Sequence, residues 1–312
     1  MKDILLDCDP GHDDMMAIIL ACSSSKLNVL GITTVAGNQT GDKTCLNALR
    51  VLTLIGETHI PVARGFDKPI LRQLTTAPQI HGATGLDGSI LPEPEVMPVK
   101  MNAVDFITDV LRKRKEKAYI IATGPLTNIA VTLLKSPEIK TKIERIIIMG
   151  GALFDSNITP SAEFNMYVDP EAAKIVIDSG VPVTMVTLDV SNKALFNHED
   201  INRIMGRKRG FPAIIGELLL FFAEANMKAF GFEGAPLHDP ITVAYAIEPK
   251  ILETKFLHVD IETRGELTRG RTVADVYGIT GNKPNAEVSF KLDNERYKEL
   301  IFKAVEKYSE KM

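Results

Sequence analysis

Residues 4–14 read Ile-Leu-Leu-Asp-Cys-Asp-Pro-Gly-His-Asp-Asp. The apolar residues at the start of this stretch predict a buried strand, and the Pro-Gly pair interrupts that strand. The apolar run Met-Met-Ala-Ile-Ile-Leu that follows predicts a helix. Four carboxylates therefore crowd one strand-to-helix turn, namely Asp7, Asp9, Asp13 and Asp14.

This density of carboxylates predicts a cation site. Two unit charges ~4 Å apart repel by about 4 kcal/mol at an effective dielectric near 20. Carboxylate oxygens are the ligands that hard divalent cations such as Ca²⁺ and Mg²⁺ prefer. A single Asp at this position is explained as an acid at a helix N-terminus, but a helix start does not require four of them. We therefore interpret the turn as a metal-carboxylate site.

The same alternation of strands and helices continues along the chain. Strands are predicted at residues 28–35, 118–122, 145–149 and 183–188. Helices are predicted at residues 43–55, 105–115, 126–134 and 170–179. Buried β-branched runs that alternate with helices are typical of a mainly parallel sheet covered on both faces. We therefore predict an α/β fold with a Rossmann-like open sheet.

Composition limits the domain organisation and the partners. The chain has 312 residues, of which 45% are hydrophobic and 24% charged, and no linker or repeat divides it. We therefore expect one domain spanning residues 1–312. The net charge of -4 argues against a nucleic-acid surface, and the basic runs at 112–115 and 207–209 are interpreted as solvated helix ends. No apolar run reaches membrane-spanning length, so no membrane contact is expected.

The cysteines indicate a reducing compartment. Cys8, Cys22 and Cys45 are widely spaced and form no Cys-x-x-Cys pair. Acidic residues occur at positions 3 and 7, before any long apolar stretch, so no signal peptide is expected. Together these observations predict a cytoplasmic protein.

Polar or small residues gather where predicted strands end. This group consists of Asp9, Asn38, Thr123, Gly150 and Asp189. In open α/β sheets, ligands bind in the crevice beyond the carboxyl ends of the strands. The sequence therefore predicts the functional site at this edge of the sheet.

Two later segments have open interpretations. Residues 155–165 offer Asn157, Glu163 and Asn165, which suit either the hydroxyls of a sugar or a loop closed by local backbone bonds. Residues 234–240 bring His238 and Asp239 to the start of a helix. There, Asp239 is either a cap or a further metal ligand, and His238 is either a satisfied polar residue or a proton donor.

Four blocks of sequence carry a resemblance to a known family. Residues 7–14 resemble the N-terminal signature of the nucleoside hydrolases, the inosine/uridine-type N-ribohydrolases. Residues 81–88, His-Gly-Ala-Thr-Gly-Leu-Asp-Gly, resemble a second family loop, and residues 162–166 and 236–239 match two more blocks in the expected order. The resemblance runs from residue 3 to about residue 290, and four ordered blocks are far more specific than one motif.

The resemblance implies a set of binding residues. Ca²⁺ would be held by the Asp9, Asp14 and Asp239 carboxylates and the Thr123 carbonyl. The substrate would be a ribonucleoside, with the ribose contacted by Asp13, Asn38, Asn157, Glu163 and Asn165. Of these, Asp13 and Asn165 resemble ligands of the ribose hydroxyls, and Asn38 would position the diol or the attacking water. Asn157 and Glu163 would lie nearer the 5′-hydroxyl.

The implied reaction is hydrolysis of the N-glycosidic bond to free base and ribose. Positive charge builds on the ribose as the bond breaks, and surrounding carboxylates stabilise it. Asp9 is the expected general base, which takes a proton from the attacking water. His238 is the expected acid for the departing base, with His81 as the second candidate. The resemblance also implies a homo-oligomer, expected to be a tetramer.

The expected base preference is pyrimidine (uridine and cytidine) or broad. Asn226 and Phe230 are expected over the nucleobase, whereas some pyrimidine-preferring relatives have Gln and Tyr at the matching positions. The chain has no Trp, so it differs from purine-specific members that sandwich the base between indoles.

Two other classes of protein remain as alternatives. An Asp-x-Asp after a strand also begins the Mg²⁺-dependent haloacid-dehalogenase-type phosphatases, although these do not explain the second Asp pair or the sugar-binding loop. A non-catalytic nucleoside-binding protein would keep the ribose contacts without turnover. The co-occurrence of the proposed base, acid and metal ligands argues against it.

Overall fold

A computed structural model describes residues 1–206 and 210–309, so the basic run at 207–209 lies outside the described residues. The strands of these residues are β1 Lys2–Cys8, β2 Leu27–Thr34, β3 Val62–Arg64, β4 Ala118–Ala122, β5 Ile143–Met149, β6 Val183–Val186, β7 Leu195–Phe196, β8 Ala235–Pro236, β9 Leu252–Leu257, β10 Val259–Ile261, β11 Thr272–Ala274 and β12 Ala286–Leu292.

The α-helices of the described residues are α1 His12–Ser23, α2 Gly41–Leu54, α3 Pro78–His81, α4 Ala103–Lys113, α5 Thr127–Lys135, α6 Phe164–Val168, α7 Pro170–Ile177, α8 Leu188–Ser191, α9 His198–Met205, α10 Phe211–Phe230, α11 Pro240–Ile247 and α12 Asn294–Ser309. Short 3₁₀ turns span Pro137–Lys142 and Pro249–Ile251.

Eight strands form the central sheet in the order β3-β2-β1-β4-β5-β6-β12-β9. Every neighbouring pair is parallel except β12 and β9, which run antiparallel. The predicted α/β fold with a mainly parallel sheet is therefore confirmed. The antiparallel edge strand and the small β7–β8 and β10–β11 pairs were not predicted.

The apolar strand residues alternate between two hydrophobic cores. Ile4 and Leu6 of β1 belong to the core that α1, α10, α11 and α12 cover. Leu5, between them, belongs to the core on the other face, which contains residues of α4, α5 and α7. Successive strand side chains point to opposite faces, so a strand buried on both sides must be apolar throughout. Helices thus cover both faces, as predicted.

The central strands end level with one another. Asp7 of β1 is in register with Thr33 of β2 and Ala122 of β4, and Ala122 is in register with Ile148 of β5. The strand order reverses between β1 and β4, which is the point where open α/β sheets bind ligands. The turns after these strands therefore meet at one crevice.

One strand ends earlier in the structure than the sequence predicts. The strand predicted at 183–188 ends at Val186, because Leu188 already begins α8. The amide of Thr187, between the two elements, donates to Ser289 Oγ at 3.0 Å and so leaves the sheet ladder. In residues 1–206 and 210–309, no helix has the length and apolar character needed to cross a membrane.

Candidate active site

A pocket lies at the carboxyl ends of the central strands, and most of the predicted site residues line it. These residues are Asp13, Asn38, His81, Thr123, Asn157, Glu163, Asn165, Asn226, Phe230, His238 and Asp239. Asp9 and Asp14 do not line the pocket but contact residues that do. The structure therefore brings all the predicted site residues to one place, including residues more than two hundred positions apart in sequence.

Three buried carboxylates lie close enough to share one cation. Asp13, Asp14 and Asp239 each offer an oxygen, and these oxygens lie within 4.8 Å of one another. The Asp13 Oδ1 atom is buried and has no hydrogen-bond partner among the residues that the structure describes. Asp14 and Asp239 belong to the ligand set implied by the resemblance, whereas the third carboxylate of this group is Asp13 rather than Asp9.

Burial and mutual repulsion disfavour the ionised form of these carboxyls. Burial, and then the charge of Asp14, raises the pKa of Asp13 to about 8. Burial and the neighbouring carboxylates raise the pKa of Asp239 well above its usual range. Such a cluster lacks a positive charge, and its unpartnered carboxylate oxygen is the donor type that hard cations bind. These residues therefore fit a divalent cation.

Asp14 is held by four hydrogen bonds that fix its direction. Its Oδ1 accepts from the Asp9 amide at 3.2 Å and from Thr123 Oγ1 at 2.7 Å. Its Oδ2 accepts from the Gly11 amide at 3.1 Å and from Asn38 Nδ2 at 3.1 Å. Asp14 thereby joins the turns after β1, β2 and β4.

The Asp9 carboxylate lies between two glycines. Its Oδ2 accepts from the Asn38 amide at 2.7 Å, while its buried Oδ1 has no partner. A Cβ atom at Gly37 would lie 2.1 Å from Oδ2, and one at Gly124 would lie 2.6 Å from Oδ1. Burial, and then the charge of Asp14, raises the pKa of Asp9 well above its usual range. An unpartnered carboxylate oxygen beside the pocket can accept a proton from water.

The loop before α6 has both features that the sequence left open: local bonds to its own backbone, and polar side chains that line the pocket. Glu163 caps α6, with Oε1 accepting from the Asn165 amide at 2.9 Å and Oε2 from the Gly151 and Met166 amides. Asn157 Oδ1 accepts from the Phe164 amide at 2.8 Å, which leaves its Nδ2 group to donate elsewhere. The local bonds therefore hold the side chains in place, while both residues still line the pocket.

Asn165 connects this loop to the turn after β4, which contacts the acidic cluster. Its Nδ2 donates to the Thr123 carbonyl at 2.7 Å and to the Met149 carbonyl at 3.1 Å. The Thr123 oxygen retains a second lone pair, so this bond does not prevent it from also binding a cation.

His81 lies at the end of α3, in a loop that closes on itself. Asp87 accepts from the Ala83 amide at 2.8 Å and from the Thr84 amide at 3.0 Å. His12 Nε2 donates to the Asp87 carbonyl at 2.8 Å, and its Nδ1 lies 3.2 Å from His81 Nδ1. Burial lowers the pKa of His81 well below its usual range and that of His12 to about 4.

His238 and Asp239 stand at the start of α11, and Asp239 does not cap that helix. Its side chain makes no capping hydrogen bond and belongs to the acidic cluster instead. His238 Nδ1 lies 2.8 Å from Ser191 Oγ. Burial lowers the pKa of His238 to about 4. The capping interpretation of Asp239 is therefore excluded, and His238 is a neutral imidazole at pH 7.

The far end of the pocket is aromatic. Asn226 on α10 donates from Nδ2 to the Phe222 carbonyl at 2.9 Å, which leaves its Oδ1 as an acceptor. Phe230 packs against Phe232 with ring centroids 5.6 Å apart and is 41% exposed. The ring of Phe222 stacks on His81 at 5.3 Å. A flat apolar group such as a nucleobase suits these surfaces.

Sequence reasoning missed several contributors. His12 belongs to the motif that begins the first helix, but nothing in the local pattern indicated its contact with His81. Ser191 follows a strand predicted to end near the site, yet its partner His238 is distant in sequence. Asp189, which was predicted near the crevice, accepts from the amides of residues 153–155 and so supports the loop that bears Asn157.

Comparison with known proteins places this geometry in context. Residues 4–299 match the family model described as inosine-uridine preferring nucleoside hydrolase. The pyrimidine-specific ribonucleoside hydrolase RihA of Citrobacter koseri is 50% identical over 299 residues, which are 96% of each chain. The solved purine-preferring ribonucleoside hydrolase from Gardnerella vaginalis has a TM-score of 0.93 and 30% identity, and covers 100% of both chains. A plant nucleoside hydrolase has a TM-score of 0.91 and 30% identity, with 97% and 98% of the chains covered.

Proposed function

Since this chain belongs to the inosine-uridine preferring nucleoside hydrolase family, we propose that it hydrolyses the N-glycosidic bond of ribonucleosides to free base and ribose. The observation that carries the proposal is the convergence of the acidic cluster, the carboxamides and two imidazoles on one pocket. The 50% identity to a relative named as pyrimidine-specific supports uridine and cytidine as preferred substrates. Such a reaction serves salvage and catabolism of pyrimidine nucleosides.

Ca²⁺ is the proposed cofactor, held by Asp14, Asp239 and the Thr123 carbonyl together with Asp9, and with Asp13 beside it. The all-oxygen donor set and the unpartnered carboxylate oxygens support a hard cation. When bound, the cation supplies positive charge that keeps these carboxylates ionised, holds the ribose hydroxyls and makes water easier to deprotonate.

Asp9 is the proposed general base. Its Oδ1 has no hydrogen-bond partner in the described residues, so the ionised carboxylate can take a proton from water that attacks the anomeric carbon. The Asn38 amide holds the other oxygen and so keeps the carboxylate in one orientation. Positioned proton transfer of this kind contributes about 10²–10⁴-fold to a rate.

The ribose is bound by the polar side chains around the acidic cluster. Asp13 and Asn165 are assigned to the ribose hydroxyls, and Asn157 and Glu163 to the 5′-hydroxyl, because all four line the pocket. As the glycosidic bond breaks, positive charge grows on the sugar ring. Fixed carboxylates nearby stabilise that charge without having to reorganise.

His238 is assigned to the leaving base, with His81 as the second candidate. Both line the pocket, and burial lowers the pKa of each ring. A neutral imidazole still assists departure, because its N–H donates a hydrogen bond to the atom on which negative charge develops.

The proposed base preference rests on the aromatic end of the pocket. Phe230 offers a face for stacking but has no hydroxyl, and Asn226 offers its Oδ1 as an acceptor. The relatives reported above include both pyrimidine-specific and purine-preferring proteins. A broad activity is therefore the second candidate for the specificity.

The decisive experiment compares uridine, cytidine, inosine and adenosine at equal concentration, with and without a chelator. Release of uracil faster than hypoxanthine, lost on chelation and restored by Ca²⁺, is the expected result. Comparable release from all four nucleosides would replace the pyrimidine preference by a broad one. No free base from any of them would overturn the hydrolase. Phosphate release from nucleotides would then favour a phosphatase, and binding without turnover a nucleoside-binding protein.

We also propose a cytoplasmic homotetramer. The three cysteines Cys8, Cys22 and Cys45 are free thiols, which are typical of a reducing compartment. The tetramer follows from the family resemblance alone. Light scattering coupled to size-exclusion chromatography tests it, since the chain mass is 34.3 kDa and a tetramer has four times that mass.

A further inference from the structure

Ser191 is a fully buried residue at the end of α8, and its side chain has one hydrogen-bond partner. Its Oγ lies 2.8 Å from Nδ1 of His238, and the residue is 0% exposed. Within the described residues, neither the Ser191 hydroxyl nor His238 Nε2 has any other hydrogen-bond partner. Since His238 lines the pocket, this pair connects a buried helix to the site of chemistry.

Only one placement of the hydrogens leaves no buried donor of Ser191 or His238 without an acceptor. The serine hydroxyl carries one hydrogen, and a neutral imidazole carries its hydrogen on either Nδ1 or Nε2. If Nδ1 carried the hydrogen, it would donate to Ser191 Oγ, and the hydroxyl hydrogen would be buried without an acceptor, which is unfavourable. If Nδ1 is bare, the hydroxyl donates to it and no buried donor is left unpaired. The ring hydrogen is then on Nε2.

We propose that Ser191 is a positioning residue that holds His238 in the Nε2–H tautomer, so that the only N–H of the ring is available to the leaving base. The catalytic part of this inference rests on the proposed hydrolase function. The hydrogen bond involves no net proton transfer: Nε2 keeps its hydrogen and donates to the base atom that becomes negative as the C–N bond breaks, and the released base takes its proton from solvent water. With the opposite tautomer, the ring would present a lone pair to that atom instead.

The tautomer can be read directly, without substrate or metal. Protein labelled with ¹⁵N in histidine is recorded in a ¹H–¹⁵N long-range correlation spectrum, and the His238 signals are assigned from their loss in His238→Gln. We expect a non-protonated Nδ1 and a protonated Nε2 in the wild type, and a loss of this single state in Ser191→Ala. A protonated Nδ1 in the wild type, or an unchanged pattern in Ser191→Ala, would overturn the inference.

The catalytic consequence is tested with two substrates. Ser191→Ala is expected to lower kcat for uridine roughly 10- to 100-fold, by analogy with the loss seen when the hydrogen-bond partner that orients a metal-ligating imidazole is removed. p-Nitrophenyl β-D-ribofuranoside has a leaving group that is stable as an anion and needs no such help, so its kcat should change much less. An equal loss with both substrates would indicate a structural role and contradict the proposal.

Two further variants separate the role of Ser191 from general damage. Ser289→Ala removes a buried hydroxyl that bonds Thr187 at the entry to α8, without touching His238, and should leave the uridine rate near the wild-type value. In a His238→Gln background, Ser191→Ala should have no additional effect, whereas a further loss would show that Ser191 acts elsewhere. If the wild type releases no uracil, the hydrolase fails while the spectrum still decides the tautomer.

Discussion

At the scale of single residues, the candidate site depends on carboxylate oxygens that have no hydrogen-bond partner as much as on those that are hydrogen bonded. Within the described residues, Asp9 keeps one oxygen without a partner, and Gly37 and Gly124 in the two adjoining turns leave the space that its carboxylate occupies. The sequence shows a Gly in each turn. It does not show that both glycines face the same carboxylate, because this depends on how three strands are paired.

Asp9→Asn tests the general base with little change in volume. We expect kcat for uridine to fall about 10²–10⁴-fold, because the amide cannot take a proton from water. The protein should remain folded, with an unchanged circular dichroism spectrum. Since Asp9 is also a proposed ligand, Ca²⁺ affinity is measured by calorimetry and kcat is taken at saturating Ca²⁺. Near-normal turnover under those conditions would remove Asp9 from the mechanism.

Gly37→Ala tests the space around that carboxylate. The new Cβ would lie 2.1 Å from Asp9 Oδ2, so the carboxylate must move, and we expect at least a 10-fold loss of kcat. Overpacking should also cost about 1–3 kcal/mol of unfolding free energy. Gly41→Ala is the matched control: its Cβ would lie 2.3 Å from Asp67 Oδ1, but that side chain is 62% exposed and can swing away. Equal kinetic losses in both variants would argue against this explanation.

At the scale of elements, short segments between the main strands and helices carry several of the proposed catalytic and binding residues. Loop 81–88 bears His81, α8 bears Ser191, and the loop before α6 bears Asn157 and Glu163. Strands β1, β2, β4, β5 and β6 were predicted from their apolar runs to within a few residues, whereas β3, β9 and β12 of the same sheet were not predicted. The short α8 was missed because Leu188 reads as a continuation of the strand, whereas the Thr187 amide donates to Ser289 Oγ and the Leu188 amide donates to the Gly151 carbonyl.

Asp87→Ala tests whether the 81–88 loop serves catalysis. The substitution removes the bonds from the Ala83 and Thr84 amides, so the loop that bears His81 should loosen. We expect a lower kcat for uridine and a loss of only about 1 kcal/mol in unfolding free energy, because the bonds are partly exposed to water. Steady-state kinetics and urea unfolding measure the two effects.

Asp275→Ala is the control for that variant. Asp275 accepts from the Ile279 and Thr280 amides in a similar turn away from the pocket. Its loss should destabilise the protein by a comparable amount and leave kcat unchanged. A drop in kcat in both variants would assign the Asp87 effect to general stability.

At the scale of the whole molecule, the acidic cluster couples stability to pH in protein freed of metal. Asp13, with a pKa raised from 3.8 to about 8, binds more protons when folded than when unfolded. Its contribution is therefore present at low pH and is lost as pH rises toward 8. Between pH 7.5 and 8.5, the buried histidines with lowered pKa are almost entirely neutral in both states, because the pKa of an unfolded histidine is about 6.5. The melting temperature should thus fall across this window.

Saturating Ca²⁺ should flatten that pH dependence and raise the melting temperature most at pH 8, because the cation favours the ionised carboxylates. Differential scanning fluorimetry with and without a chelator measures both curves. A chelated protein whose stability rises between pH 7.5 and 8.5 would contradict the assigned direction of the pKa shifts.

We further expect residues 1–312 to unfold as one domain. Strand β1 contributes Leu6 to one core and Leu5 to the other, so neither core can be lost without the sheet. Circular dichroism and tyrosine fluorescence should give coincident urea transitions. Two separated transitions at a fixed protein concentration would contradict a single domain.

The sequence predicted the class of fold and a set of candidate site residues that the structure brings to one pocket, but not how those residues are arranged. The parallel strands and the crevice were predicted from local apolar runs, which can be interpreted without knowing which distant residues they contact. The strand order and the contacts His12–His81 and Ser191–His238 depend on packing between elements distant in sequence. Whether the Asp239 side chain caps α11 likewise depends on where its carboxylate lies, which only the structure shows.

The acidic cluster joins Asp13 and Asp14, near the start of the chain, to Asp239 in its last quarter. While the ribosome builds this protein, the first two carboxylates emerge long before the third. A nascent chain therefore presents an incomplete set of ligands until α11 has left the exit tunnel. The proposed divalent ion would thus be taken up late in biosynthesis, and truncated translation products should be poor competitors for the cellular supply of that ion.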